Sequence, residues 1–281
     1  MIKIVFCGFG KLGRDCMKAI IEKGCQIDFV MTHKENDIDS VDTFAQGEGI
    51  EFTYKDARKN LEYIIQKLKK VKPVFLISVN YRYIIPKKVY GSANYAINVH
   101  GSLLPKYRGR TPHVWSIING EKETGITSHL IEESVDTGDI ISQFNIPIKD
   151  TDTGYSLIKK FEKYYPSIVI ESIEKLLNKV KPVKQDNSLA SYYGKRTPDM
   201  GYIDFRKSAD EVVNFVRAQA QPYPGAYYYL IDGRKIIINE IIISKFDDLD
   251  FTIGVIKKNN HEYFVRCKNK VLKIENYNIK N

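Results

Sequence analysis

Asn98 and His100 stand two residues apart at the end of a short apolar run, and Asp136 follows within the turn Val135-Asp-Thr-Gly138. Residues two apart on a strand share a face, so this amide and imidazole aim into one volume. The turn leaves the carboxylate free to reach the same space. These three side-chain types suit the movement of an acyl group from one nitrogen to another. As an amine attacks a carbonyl, negative charge grows on the oxygen and positive charge on the nitrogen. An Asn amide N–H can stabilise that oxygen, and an imidazole, which titrates near neutrality, can take the proton. A carboxylate can orient the imidazole and raise its basicity, or pass a proton through water to the leaving nitrogen. No covalent intermediate is required, and the sequence holds no Gly-x-Ser-x-Gly elbow. Taken singly, Asn-x-His at a strand end and Asp136 in a turn are ordinary turn chemistry. The inference rests on all three together.

A second constellation competes. Gly8-Phe-Gly10-Lys-Leu-Gly13 follows a strand signal and opens a helix signal, as a pyrophosphate-cradling turn does. An NAD enzyme also needs an acidic residue about twenty positions on. Here the second strand ends in Thr32-His33-Lys34, which leaves only an NADP-type contact through Lys34. The simpler reading is that the glycines let the first helix pack closely on the first strand.

The elements that must position these residues alternate in type. Strand signals lie at Ile2–Cys7, Gln26–Met31, Ile50–Tyr54, Val74–Val79 and Tyr95–Val99, with helical spacing at Lys11–Lys23, Val41–Gln46 and Leu61–Leu68. That order predicts an α/β fold, a mostly parallel sheet with helices on both faces. Asn98 and His100 then sit at the carboxyl end of a central strand, where such sheets bind ligands. Strands at Thr124–Ile131 and Ile140–Pro147 precede a long helix over Thr151–Val180, which Pro166 is expected to kink or divide. His113 and Trp115 open a helix expected to pack on the sheet. Beyond Lys184 the texture changes to a linker, one helix at Ala209–Arg217, and short strands at Ala226–Leu230, Lys235–Ser244, Thr252–Lys257, Tyr263–Cys267 and Val271–Tyr277. Asp232-Gly233 marks a hairpin turn. The expected domains are therefore 1–184, carrying the chemistry, and 185–281, small and β-rich.

Composition narrows the classes. The chain of 281 residues carries a formal net charge of +9, but residues 186–281 hold 15 Lys and Arg against 12 Asp and Glu, so the excess is spread along the chain. No dense basic block points to nucleic acid. No apolar run approaches the roughly 18 residues of a membrane span, and the first residues lack a signal-peptide pattern. Cys7, Cys16, Cys25 and Cys267 show no paired spacing, so neither a metal site nor a disulfide framework is expected. A cytoplasmic protein is the reading. His33, His129 and His261 have no evident partners.

The run Asn98-Val-His-Gly-Ser-Leu-Leu-Pro-Lys-Tyr-Arg-Gly109, then Gly120-Glu-x-Glu-Thr-Gly125-Ile-Thr127, then Asp136-Thr-Gly-Asp139, resembles the 10-formyltetrahydrofolate-dependent formyltransferases. That family includes methionyl-tRNA formyltransferase and the sugar-nucleotide N-formyltransferases. The resemblance implies a Rossmann-like N-terminal domain that binds formylfolate rather than a dinucleotide, a C-terminal domain like an oligonucleotide-binding fold, and no metal. It implies Asn98, His100 and Asp136 as the catalytic set, with Tyr83, Ile84, Ile85, Pro86, Leu104, Glu133 and Val135 around 10-formyltetrahydrofolate.

Within the family the sequence is most similar to the branch acting on nucleotide-linked amino sugars, especially the domain that formylates UDP-4-amino-4-deoxy-arabinose. The segments Ser78-Val-Asn-Tyr-Arg-Tyr83, Lys106-Tyr-Arg-Gly-Arg-Thr-Pro112, Tyr193-Gly-Lys-Arg-Thr-Pro-Asp199, Val216-Arg-Ala218 and Pro222-Tyr-Pro-Gly-Ala226 carry that likeness. Expected substrate contacts are Gly8, Gly10, Asn80, Tyr81, Arg82, Ser102, Arg108, Arg110, Thr111, Arg196 and Tyr223. Arg108, Arg110 and Arg196 would meet a diphosphate, since guanidinium pairs well with phosphate oxygens, and Tyr223 would stack on the base or touch the sugar. Members acting on tRNA are expected to carry a basic insertion after the second strand. Here His33–Ser40 is short and acidic, and acidic charge repels RNA phosphates.

The resemblance thus implies a bacterial enzyme formylating a nucleotide-linked amino sugar for surface glycan synthesis, with a homodimer as a family-level expectation and no nucleic-acid or membrane partner. The rivals are methionyl-tRNA formylation, NAD(P)-dependent oxidoreduction, hydrolysis of formyltetrahydrofolate, and folate binding without catalysis.

Overall fold

The first strand, β1 (Lys3–Gly8), is buried along all but its first residue, as a strand covered on both sheet faces must be. In the computed structural model, which describes residues 1–35, 37–245 and 252–280, it lies third in a seven-stranded sheet. The strands are β2 (Gln26–Met31), β3 (Phe52–Thr53), β4 (Phe75–Val79), β5 (Tyr95–His100), β7 (Glu123–Leu130) and β8 (Ile140–Pro147), in the order β3-β2-β1-β4-β5-β7-β8. The first five run parallel, and β7 returns antiparallel to β5. β6 (Arg108–Gly109) forms a two-stranded ribbon with β9 (Tyr192–Tyr193). The mostly parallel α/β arrangement read from the sequence is the one observed.

Helices α1 (Gly10–Glu22), α2 (Val41–Gly47), α3 (Leu61–Val71) and α4 (Lys87–Tyr90) fill the crossovers. Ile64 and Leu68 of α3 and Val89 of α4 close over Val5, Cys7, Phe29, Met31 and Leu76. Gly10 takes a φ of +65°, a conformation that disfavours any side chain. A Cβ on Gly13 would meet Val41 Cγ2 at 2.7 Å and the Gly8 backbone at 3.4 Å. The glycines therefore let α1 approach β1 and α2, which satisfies their spacing without a dinucleotide.

The long helix α6 (Gly154–Leu177) runs on through Pro166 undivided, so of the kink or division expected there the division does not occur. Phe161, Tyr165, Ile168, Val169, Ile173 and Leu176 are all buried, so apolar packing on both sides of the proline compensates for its missing N–H. Gly101 lies where a Cβ would meet the Phe161 ring at 2.8 Å and the Tyr165 hydroxyl at 3.2 Å. The backbone just after His100 is thus pressed against α6.

The chain divides into two compact units, one of residues 1–109, 125–146 and 160–192, the other of 110–124, 147–159 and 193–281. In the second, strands β10 (Ala226–Tyr229), β11 (Lys235–Ile243), β12 (Ile256–Asn259), β13 (Glu262–Arg266) and β14 (Val271–Lys280) form an antiparallel sheet ordered β10-β11-β14-β13-β12. Its turn at Asp232-Gly233 has Gly233 at φ +84°, the hairpin read from sequence. The strand expected at Thr252–Lys257 begins at Ile256 instead. α7 (Ala209–Ala218) is set by a reciprocal capping box between Ser208 and Glu211 and packs on β11. α5 (Pro112–Ile118), expected to lie on the sheet of the first half, packs against α7. No helix among the described residues is long and apolar enough to cross a membrane.

Candidate active site

β5 ends with Asn98 and His100, and the structure brings Asp136 beside His100 and beside His129, the partner of Asn98. His100 Nε2 lies 2.8 Å from the Tyr107 carbonyl oxygen. A carbonyl only accepts, so Nε2 carries the hydrogen and Nδ1 is the nitrogen left to take a proton. That Nδ1 lies 3.5 Å from Asp136 Oδ2. A proton gained there lands beside a carboxylate. The Gly109 N–H donates to the same Oδ2 at 2.9 Å.

Burial by itself raises the Asp136 carboxyl, but the positive charge of the His100 and His129 imidazoles in their protonated forms, with the Gly109 N–H, outweighs it and holds the group well below the ordinary carboxylate range. Asp136 is therefore an anion throughout the neutral region. Its backbone sits at φ +57°, a left-handed turn conformation that aspartate tolerates better than most residues.

Two buried residues that sequence reasoning passed over complete the site. The antiparallel register of β5 and β7 sets Asn98 opposite His129. His129 Nε2 lies 3.2 Å from Asn98 Nδ2 and 3.5 Å from Asp136 Oδ1. The signal available was the polar triple Thr127-Ser-His129 in a strand where all three are buried. Gln185 is the second. Its amide donates to the carbonyls of Asp136 at 2.9 Å and Gly138 at 2.7 Å, while its oxygen accepts from Arg108 Nη2 at 2.6 Å. Nothing in the linker sequence marked it.

Arg108 requires a correction. Expected at a diphosphate, it is 1 % exposed, and its guanidinium donates to Gln185 Oε1, the Tyr192 hydroxyl and Asn187 Oδ1. In this structure it braces the Asp136 turn from behind through Gln185 instead of facing a ligand. Replacing Gln185 by Leu leaves that buried guanidinium short of an acceptor, so Gln185→Leu is expected to cost about 1–3 kcal/mol. Denaturant midpoints of the two proteins check this, and an unchanged midpoint would contradict it.

The remaining expected contacts fall into groups. Asn80, at φ +55°, donates from Nδ2 to the Phe9 carbonyl at 3.3 Å, which ties the end of β4 to the Gly8-Phe-Gly10 turn. Arg82 lies 3.6 Å over the Phe9 ring, and its N–H donates to His33 Nε2 at 3.1 Å. The rings of Tyr81 and Tyr83 stand 4.9 and 4.4 Å from that of His33. Burial pushes the Tyr81 phenol up, and its hydroxyl has no hydrogen-bond partner among the described residues. His33, without a partner in the sequence reading, is thus the centre of an aromatic cluster. Asn36, inside the acidic His33–Ser40 segment, lies outside the described residues.

Ile84 and Val135 are exposed apolar residues on the two loops flanking the site, whereas Ile85 is buried and Pro86 precedes α4. Glu133 is exposed on the Asp136 loop. Ser102 is wholly buried with its hydroxyl donating to the Lys106 carbonyl, and the Leu104 N–H donates to Thr127 Oγ1. Both therefore shape the loop after His100 from within. In the other unit, Arg196 is half-buried over Trp115 and Phe215, donates to the Met200 carbonyl and Gln219 Oε1, and is lowered by burial. The Tyr223 hydroxyl lies 2.9 Å from His113 Nε2, and burial raises its phenol to about 12. Arg110 donates its N–H to the Tyr193 carbonyl, and Thr111 adopts φ 52° ahead of α5. Among the described residues no group of three or more His, Cys, Asp or Glu is arranged to hold a metal ion.

Comparison with known proteins places this geometry in context. A family model described as formyl transferase matches residues 4–173, and one described as formyl transferase, C-terminal domain, matches 195–281. The bifunctional polymyxin resistance protein ArnA of Wigglesworthia glossinidia brevipalpis is 34% identical over 281 residues, covering 97% of this chain but only 42% of its own length. This chain thus spans less than half of that relative. Methionyl-tRNA formyltransferase of Caldanaerobacter subterraneus subsp. tengcongensis is 31% identical over 284 residues, covering 97% of this chain and 91% of its own. Among solved structures, WlaRD, described as a sugar 3N-formyl transferase in the presence of dTDP and 5-N-formyl-THF, superposes with a TM-score of 0.75 at 25% identity, over 98% of this chain and 97% of its own. An N-formyltransferase from Helicobacter canadensis, in complex with folinic acid and dTDP-3-aminofucose, shares the fold with a TM-score of 0.77 at 22% identity, over 98% and 99% of the two chains.

Proposed function

Because the chain belongs to the formyl transferase family, we propose that it transfers a formyl group from 10-formyltetrahydrofolate to the amine of a nucleotide-linked amino sugar. The observation that carries the chemistry is the His100 hydrogen-bond pattern, with Nε2 tied to a carbonyl and Nδ1 bare beside Asp136. The acceptor amine attacks the formyl carbon, a carbon–nitrogen bond forms, and the carbonyl oxygen becomes negative. Asn98 donates an N–H to that oxygen. The amine proton passes to His100 Nδ1, where the Asp136 anion stabilises the imidazolium. The carbon–N10 bond then breaks, and the proton returns to the leaving nitrogen directly or through water. The net result is one formyl group moved and no proton gained.

The exposed Ile84 and Val135 offer apolar surface for the pteridine, with Tyr83, Pro86 and Glu133 on the same loops. Leu104 lines the loop after His100 from the buried side. For the acceptor, Arg82 supplies a cation suited to a diphosphate. Support for a sugar nucleotide comes from the short acidic segment after β2 and from the WlaRD likeness. The 31% identity to methionyl-tRNA formyltransferase over nearly the whole chain favours a second reading, formylation of methionyl-tRNA. Calorimetric titration separates the two. With folinic acid present, dTDP or UDP is expected to bind and initiator tRNA at physiological salt is not; tight tRNA binding with no response to either nucleotide would reverse the choice.

A further inference from the structure

His129 is 2 % exposed and faces the site from β7, directly across from Asn98. We propose that His129 is a positioning residue that decides which way the Asn98 amide points. Its Nδ1 lies 2.7 Å from the Leu130 carbonyl oxygen. That nitrogen therefore carries the hydrogen, and the neutral ring presents a bare Nε2. Asn98 Nδ2, at 3.2 Å, gives one N–H to it and keeps the second for the oxygen of the carbonyl under attack.

The terminal torsion of an Asn side chain is broad and nearly two-fold, so little else chooses between amide nitrogen and amide oxygen. Here the group opposite the amide is an acceptor: His129 Nε2, bare because Nδ1 holds the hydrogen, selects the amide nitrogen. Remove the imidazole and the amide is free to turn its own oxygen toward the growing negative charge, where it repels what it should stabilise.

The kinetic test rests on the formyl-transfer reading; the spectroscopic test does not. His129→Leu is expected to lower kcat about tenfold or more, a fraction of the effect of losing the donor outright, while the Kd for folinic acid stays within about twofold. His129→Gln, whose side-chain oxygen can stand in for Nε2, recovers most of that loss. In an Asn98→Ala background, His129→Leu changes kcat by less than about twofold, because the amide it orients is gone. A merely structural role predicts the opposite, with equal losses in both backgrounds and no rescue by Gln. Either result overturns the proposal. Nitrogen NMR of the wild-type imidazole decides independently of any acceptor. The expected tautomer at neutral pH has hydrogen on Nδ1 and none on Nε2; hydrogen on Nε2 overturns it. If no amino sugar is formylated, the proposed reaction fails while the NMR result still judges His129.

Discussion

His100→Ala is expected to lower kcat by roughly two to four orders of magnitude, the range lost when a positioned acid–base group is removed. The argument is local. His100 Nδ1 is the one nitrogen of that ring not tied to a carbonyl, and a proton placed on it is stabilised by Asp136. Alanine keeps the strand and its register but removes the acceptor. Affinity for folinic acid should change little, because in the proposed reaction the imidazole acts on the attacking amine and not on the pteridine. Asn98→Ala should cost roughly two to three orders of magnitude in kcat by removing the oxyanion donor. Steady-state kinetics beside a folinic acid titration separates the two effects. A variant whose KM rises while kcat holds would mean that these residues bind and do not catalyse.

The second large effect is expected from Asp136→Asn, which should reduce kcat by roughly two orders of magnitude or more. The amide cannot stabilise the imidazolium. Its stability signature has a defined sign. The folded Asp136 carboxyl titrates below its unfolded counterpart, so the carboxylate adds stability at pH values above the unfolded carboxyl's, near 4, and that contribution drains away as pH falls through the folded value. Wild type should therefore lose stability faster than Asp136→Asn as pH drops from 5 toward 2. Denaturant midpoints across that range check it. A gap that widens on acidification would contradict the geometry around Asp136.

These expectations show which parts of the site a sequence can carry. Asn98 and His100 were legible because the two-residue period of a strand places both on one face, and Asp136 because a Val-Asp-Thr-Gly turn exposes its carboxylate. His129 was not. Its contact with Asn98 depends on β7 running antiparallel to β5 in one register, and the polar triple Thr127-Ser-His129 marks the strand without naming its partner 31 positions away. Gln185 reaches the Asp136 turn from 49 residues away through extended chain, and nothing about its neighbours announces a clamp. Arg108 shows the reverse problem. An arginine beside a catalytic strand reads as an anion contact until burial shows its donors turned inward to neutral oxygens.

The fold divides along the same line. Helices and strands longer than about one turn or four residues were legible from apolar period. The two-residue β6 and β9 were too short to have a period. Pro166 does not divide α6 because its penalty is local, whereas the packing that carries the helix past it comes from residues on both sides.

The most direct measurement is mass spectrometry of a panel of UDP-, dTDP-, GDP- and CMP-linked amino sugars after incubation with 10-formyltetrahydrofolate and this protein. One member should gain the mass of a single formyl group, and the His100→Ala protein should leave that member unchanged over the same interval. A panel with no gain, alongside formylation of methionyl-tRNA under the same conditions, would contradict the sugar-nucleotide assignment.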